Sequence, residues 1–247
     1  MLKLPSGLSF FYQKGRGVII ERKKDITDAE VLLFLNGSVY GAIIWINRLA
    51  ALHASAIVHA GGVHAFTGVS GAGKSTLVAA LGRNGLPMMA DDVLVLDLSD
   101  PDAIWCQPGH KQIKLWNDAF ALTGAAKGTK VRPDIAKFYA EPPAGLALTP
   151  QPLVSLTLID CRSLHPAYTQ ITGKERFTAA LASLYRPAFC NALLDKQSLF
   201  RMAARISQQT KMIQLDRAKN TAQFDTVTHL VLDRICGQAS RPDGRVR

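Results

Sequence analysis

The chain has 247 residues, 48% of them hydrophobic and 19% charged, as expected of an ordinary soluble globular protein able to bury a full core. Its four cysteines, Cys106, Cys161, Cys190 and Cys236, stand 55, 29 and 46 residues apart, so neither a zinc site nor a disulfide framework is indicated and a reducing cytoplasm fits. The net charge of +10 comes from scattered basic residues, apart from Arg22-Lys23-Lys24 and the tail Arg241 to Arg247, and no nucleic-acid motif accompanies it. An anionic nucleotide plus an acidic partner accounts for that balance as well as nucleic acid does.

In chain order, Met1 to Gly7 lacks the charged-then-apolar pattern of a secretion signal. Residues 8–22 alternate and carry β-formers on either side of Lys14-Gly15-Arg16-Gly17, which predicts a hairpin. Asp25-Ile26-Thr27-Asp28 supplies N-cap candidates for a helix through Leu33. After Asn36-Gly37 a second apolar helix is expected from about Val39 to Ala51, with Trp45 in the core. The most apolar window, Val39 to Ile46, falls far short of the roughly 20 residues a membrane span needs, so no membrane is expected as a partner.

Leu52 to Val58 reads as a strand, turned by His59-Ala60-Gly61-Gly62 and returned antiparallel by Val63 to Thr67. His59 and His64 flank this turn, where solvent exposure is expected. Gly68-Val69-Ser70-Gly71-Ala72-Gly73-Lys74-Ser75 follows at once and fits G-x-x-x-x-G-K-[ST], with a helix-like run from Thr76 to Leu81 behind it. The residue types match phosphate chemistry. Glycines let backbone N–H groups turn inward around phosphate oxygens, and the helix adds its own free N–H groups and dipole. Lys74 is suited to neutralising β/γ-phosphates, and the Ser75 hydroxyl to completing the shell of Mg²⁺. A tight hairpin feeding this loop is unlike the parallel crossover units of common doubly wound nucleotide-binding folds.

Asn84-Gly85 ends the loop helix. A strand from Met88 to Leu96 then carries Asp91 and Asp92, the first of them 17 residues after Lys74. Adjacent strand residues face opposite ways, so one carboxylate can enter the site while the other anchors elsewhere. Residues 99–150 are turn-rich, with a strand and helix start over Lys111 to Ala121. Leu153 to Ile159 and Met212 to Leu215 read as strands. Glu175 to Tyr185 and Asp195 to Gln208 are helical by period, with Leu181-Leu184 and Leu199-Met202-Ile206 inward. Phe224 to Ile235 reads as a terminal helix and Gly237 to Arg247 as a frayed basic tail.

Lys74, Ser75, Asp91, Asp92 and His53 thus form the expected reacting constellation. A hydroxyl kinase needs a base within hydrogen-bond reach of the attacking oxygen, and a carboxylate beside the loop can supply it. An imidazole near phosphates can donate a hydrogen bond or set that carboxylate's protonation; a satisfied core histidine is the alternative for His53. Arg132, Arg176 and Arg186 are each candidates to clamp a transferring phosphoryl group, and nothing in the spacing selects one.

Leu52-His53-Ala54-Ser55-Ala56, the hairpin, Gly68 to Ser75 and Ala90-Asp91-Asp92, as an ordered set, resemble the catalytic domain of HPr kinase/phosphorylase, whose core is also similar to that of phosphoenolpyruvate carboxykinase. The sequence looks most similar to short stand-alone HPr-kinase-like proteins, some associated with lasso-peptide biosynthesis. The resemblance implies an α/β fold with a mixed sheet flanked by helices around a P-loop. It implies ATP and Mg²⁺, with Gly68, Val69, Ser70, Gly71, Ala72, Gly73, Lys74, Ser75 and Thr76 on the nucleotide and Ser75 and Asp91 on the metal. Asp91 matches the general base, Asp92 the neighbouring acid and His53 the active-site histidine. The family's V-E-V-R-G-L-G signature and its separate N-terminal domain have no counterpart; Gln107-Pro108-Gly109-His110-Lys111 lies in the signature's region.

The expected organisation is a hairpin and helices over residues 1–51, a kinase domain over 52–236 and the basic tail 237–247. The expected activity is transfer from ATP to a serine of a small protein or peptide in the cytoplasm. Homo-oligomers are known in the family, but no stretch here specifies an assembling face. A non-catalytic nucleotide-binding module and a small-molecule kinase remain the alternatives.

Overall fold

A nine-stranded mixed β-sheet holds the phosphate-loop segment near its middle, in a computed structural model that describes residues 1–132 and 135–237. Apart from Gly237, the basic tail lies outside the described residues. The chain opens with a small antiparallel sheet of β1 (Leu2–Lys3), β2 (Ser9–Gln13) and β3 (Gly17–Glu21), and β2 and β3 form the expected hairpin. Leu8 and Phe10 are buried from it against Ile26, Val31 and Val39.

Helix α1 (Asp28–Phe34) starts at Thr27, whose side chain accepts from the Glu30 N–H. Asn36-Gly37 does not end the helical run. Leu35–Val39 form a π-helical turn that leads directly into α2 (Tyr40–Ile46), giving one 19-residue stretch, Asp28–Ile46. Close approach explains the glycines there: a Cβ on Gly41 would come within 2.7 Å of the Tyr185 ring. This stretch, with mean hydropathy 1.6, is the one helix among the described residues long and apolar enough to cross a membrane by length and composition. Val31, Val39, Gly41 and Trp45 bury one side of it, and the Trp45 indole donates to the Tyr185 carbonyl. The helix stops at Ile46, short of the expected Ala51, because Ala50 and Ala51 pair as β4 (Ala50–Leu52).

The expected antiparallel hairpin is present as β5 (Ala54–His59) and β6 (Gly62–Thr67). Ala60 and Gly61 turn it with φ of 47° and 74°, both left-handed, the turn geometry whose twist matches the flanking strands. Then come α3 (Lys74–Arg83), β7 (Met88–Ala90), β8 (Leu94–Asp97), β9 (Trp105–Cys106), β10 (Ile113–Trp116), α4 (Ala119–Thr123), β11 (Lys127–Lys130) and β12 (Lys137–Ala140). The rest is β13 (Gln151–Asp160), β14 (Arg162–Gln170), α5 (Glu175–Ala182), α6 (Pro187–Leu193), α7 (Lys196–Gln209), β15 (Lys211–Ala218) and α8 (Phe224–Cys236). Within the turn-rich middle, β10, β11 and β12 make a separate three-stranded sheet. Leu181, expected inward, is 37% exposed, while Leu184, Met202 and Ile206 are buried.

The ten-residue β13 is the axis of the main sheet. It runs parallel to β6 on one side and to β15 on the other, and its first two residues pair with β9. All three parallel strands therefore end beside the phosphate loop, where ligands of open α/β sheets bind. Helices cover both faces. Leu156 and Met212 pack toward α2, α5 and α7, whereas Ile159 and Leu215 pack toward α3 and α8. Leu77 and Leu81 of α3 are buried against the second face. Truncating either to alanine would cost about 2–5 kcal/mol and loosen the helix that carries the loop.

Met88 to Leu96 is not one strand. β7 pairs with β5, while β8 pairs with β4 and β9, so the chain must bend between them at Asp91-Asp92. Asp92 takes a left-handed φ of 72°, which short polar side chains tolerate better than most. The two aspartates therefore diverge at a bend, and strand alternation does not decide which way they face.

Candidate functional site

The loop from Gly68 to Gly73 needs its glycines for two separate reasons. Gly71 and Gly73 adopt φ of 83° and 90°, left-handed values that an L side chain resists. At Gly68 a Cβ would lie 2.8 Å from the Ile159 carbonyl oxygen, so the turn out of β6 passes close against β13. Helix α3 begins at Lys74 with its first N–H groups turned toward the loop.

Lys74 is only 7% exposed and its ammonium donates to the Gly68 carbonyl at 2.9 Å and to Val69 at 3.4 Å. Burial pushes its pKa down, opposed by the nearby Asp92 and Asp91. Ser75 Oγ donates to Asp91 Oδ1 at 2.7 Å, Ser55 Oγ donates to the same oxygen at 2.6 Å, and the Lys114 backbone N–H donates to Oδ2 at 2.9 Å. Asp91, 5% exposed, is thus fixed by three donors from three different elements.

Asp92 is placed differently. Its side chain is 39% exposed, with His53 Nδ1 3.5 Å from one carboxylate oxygen and Lys114 Nζ 3.7 Å from the other. His53 is the residue between β4 and β5, its Nδ1 3.1 Å from the Asp92 carbonyl oxygen. Burial is the largest cause lowering the His53 pKa, and the Lys74 charge adds to it, opposed by Asp92 and Asp91.

Two cavities meet at this point. A space of about 180 Å³ is lined by Gly73, Lys74, Ser75, Thr76, Lys114, Trp116, Lys137 and Arg217. A larger one, about 1110 Å³, runs along Val69, Ala72, Leu184, Tyr185 and Arg186. His53, Ser70, Gly71, Asp92 and Lys219 line both. Of the three arginines left open by the sequence, Arg186 lines the large cavity, held with its Nε on the Tyr185 hydroxyl at 3.1 Å. Arg176 instead donates to the Gln208 and Thr210 carbonyls, and Arg132 lines neither cavity.

Sequence reasoning missed Ser55, Lys114, Arg217 and Lys219. The signals that could have found two of them are the lone hydroxyl of Ser55 in an apolar strand and the charge of Lys114 between Ile113 and Leu115. Arg217 and Lys219 reach the loop only because β15 runs parallel to β13, and no local pattern reports that pairing. His64 departs from its expected exposure: Nδ1 is 2.8 Å from Ser155 Oγ and burial pushes the imidazole down to about 4. His59 likewise has a buried Nε2 without a hydrogen-bond partner.

Ser75 and Asp91 offer Mg²⁺ the hydroxyl and carboxylate oxygens it prefers. Among the described residues no group of three or more His, Cys, Asp or Glu side chains forms a metal cage. A cation here would therefore take much of its shell from phosphates and water, the usual habit of Mg²⁺.

Fold and site together define a mixed α/β protein with a phosphate-binding loop at the ends of parallel strands, the class expected from the sequence. No protein-family model matches the chain, and no curated protein matches it. Among solved structures it is similar to the HPr(Ser) kinase/phosphatase from Coxiella burnetii, at 12% identity and a TM-score of 0.39, with 77% of this chain and 99% of that chain covered. At that distance the functional reading rests on this chain's own residues.

Proposed function

We propose that the protein is an ATP-dependent, Mg²⁺-requiring kinase that phosphorylates a serine hydroxyl of a small protein or peptide, in keeping with the sequence resemblance to the HPr kinase group. The observation that carries this reading is the shared wall: His53 and Asp92 line both the phosphate cradle and the large cavity beside it. A kinase must bring donor and acceptor to one point from two sides, and these two spaces meet at such a point.

In this reading Gly68 to Thr76 bind the nucleotide phosphates, with Lys74 on the β/γ-phosphates. Ser75 and Asp91 hold the Mg²⁺, which neutralises phosphate charge when bound. The acceptor enters along Tyr185 and Arg186. Asp92 takes the acceptor's hydroxyl proton as the oxygen attacks the γ-phosphorus, and ADP departs with the electron pair of the broken P–O bond. His53 orients Asp92 through Nδ1, which lies 3.1 Å from the Asp92 carbonyl oxygen. Arg186 sits where it can meet the charge of the transferring group.

This revises the role expected for Asp91. Asp91 is buried, lines neither cavity and is engaged by donors at both carboxylate oxygens, whereas Asp92 lines both spaces. The test is an array of serine-bearing peptides, acidic and neutral, incubated with γ-labelled MgATP. The reading expects label on serine with the parent protein and none with Asp92→Asn; binding of MgATP without transfer to any peptide or protein acceptor would sink it.

A further inference from the structure

Arg217, the seventh residue of β15, is only 7% exposed, yet no carboxylate pairs with it among the described residues. Its one hydrogen bond among the described residues is from Nε to the Ala218 carbonyl, at 3.1 Å. The rest of the guanidinium lies against the phosphate loop: Nη1 is 2.9 Å from where a Cβ on Gly73 would stand, Cζ 3.6 Å and Nη2 3.9 Å. Arg217 also lines the small cavity with Lys74, Ser75 and Thr76.

A buried guanidinium without a counter-charge is costly, and proteins ordinarily neutralise one with a carboxylate or an anionic ligand. Arg217 has donors left over and faces a cavity that already presents helix N–H groups and an ammonium. Its planar fork suits phosphate oxygens better than a second lysine would. The topology fixes its position. Asp216 lies in register with Asp160, and Leu158 of the same strand pairs with Thr67, the residue before the loop, so Arg217 is carried to the level of the loop itself.

We propose that Arg217 binds the polyphosphate of the nucleotide, closing the cradle from the Gly73 side and contacting phosphate rather than base or ribose. This rests on the reading of the loop as a nucleotide site but not on the identity of the acceptor. Gly73 is then required twice, for its left-handed backbone and because any Cβ would displace the guanidinium.

The experiment compares the parent protein with Arg217→Met and Arg217→Lys by titration with MgATP and, separately, with inorganic tripolyphosphate, alongside the melting temperature without ligand. Arg217→Met should lose about 10- to 100-fold in affinity for both ligands, as expected when charge-assisted hydrogen bonds to phosphate are removed. Arg217→Lys should lose less. Because the charge is uncompensated without ligand, the ligand-free melting temperature of Arg217→Met should be unchanged or higher. Binding of MgATP by Arg217→Met within twofold of the parent overturns the inference. So does a fall in ligand-free stability in both variants, which would make Arg217 a brace for the loop. A parent protein that binds MgATP but transfers no phosphate defeats the kinase reading and leaves this inference standing; one that binds neither ligand defeats both.

Discussion

On one side of residues 68–75, Asp91 is buried and its carboxylate is held by Ser55, Ser75 and the Lys114 N–H. One residue later Asp92 is 39% exposed, faces His53 and borders a cavity of about 1110 Å³. The same residue type, on adjacent positions, has been given opposite surroundings by a single bend with φ of 72°. In the proposed reading the closed side holds phosphate and metal and the open side admits a second reactant. That contrast separates binding from transfer, and each half can be broken independently.

The largest effect belongs to the closed side. Lys74→Met should reduce MgATP affinity at least about 100-fold by calorimetry, since it removes a charge that the cradle is shaped around. An unchanged dissociation constant would detach the loop from nucleotide binding. Asp91→Asn puts an amide where three donors converge and should cost about 2–3 kcal/mol of unfolding free energy in denaturant titrations, with weaker Mg²⁺ dependence besides. Stability equal to the parent would mean that the buried network is not formed in solution. On the open side, Arg186→Leu should lower phosphate transfer about tenfold, roughly 1.4 kcal/mol in the barrier, with MgATP affinity unchanged. A matching loss of MgATP affinity would move Arg186 to the donor half.

The smallest effect serves as a control from outside the site. His64 binds its proton only near pH 4 when folded but near 6.5 when unfolded, so the unfolded chain holds more protons between those values and stability falls as pH drops through that window. Between pH 7.5 and 6 the loss should be about 1 kcal/mol, and it should be absent in His64→Val. If the slope persists in that variant, acid sensitivity lies elsewhere.

The closed half was largely legible before any coordinates. The glycines, Lys74 and Ser75 announce themselves because phosphate binding uses consecutive backbone N–H groups, which leaves a contiguous signature. The hairpin β5–β6 was legible too, from the strand-like runs on either side of His59-Ala60-Gly61-Gly62. The open half was legible only in its residues, His53 and Asp92, and not in its shape. Its walls come from residues 182–187 and the ends of β13 and β15, brought together by parallel pairings that join positions 90 residues apart (Val63 with Leu153) and 56 residues apart (Ser155 with Lys211). Asn36-Gly37 misled because tertiary packing of Gly37 and Gly41 against the Tyr185-Arg186 corner outweighs their poor helix propensity. The strand expected through Asp91-Asp92 failed for a similar reason: its two halves pair with different neighbours.

The division between the two aspartates is tested most directly by measuring MgATP affinity and label transfer to peptide serine side by side in Asp92→Asn and the parent. Affinity within twofold of the parent and transfer below about 1% of it, a barrier increase of at least 2.7 kcal/mol, is the expected result. Transfer by Asp92→Asn at the parent rate, with Asp91→Asn folded and inactive, would return the base to the buried carboxylate and contradict the account.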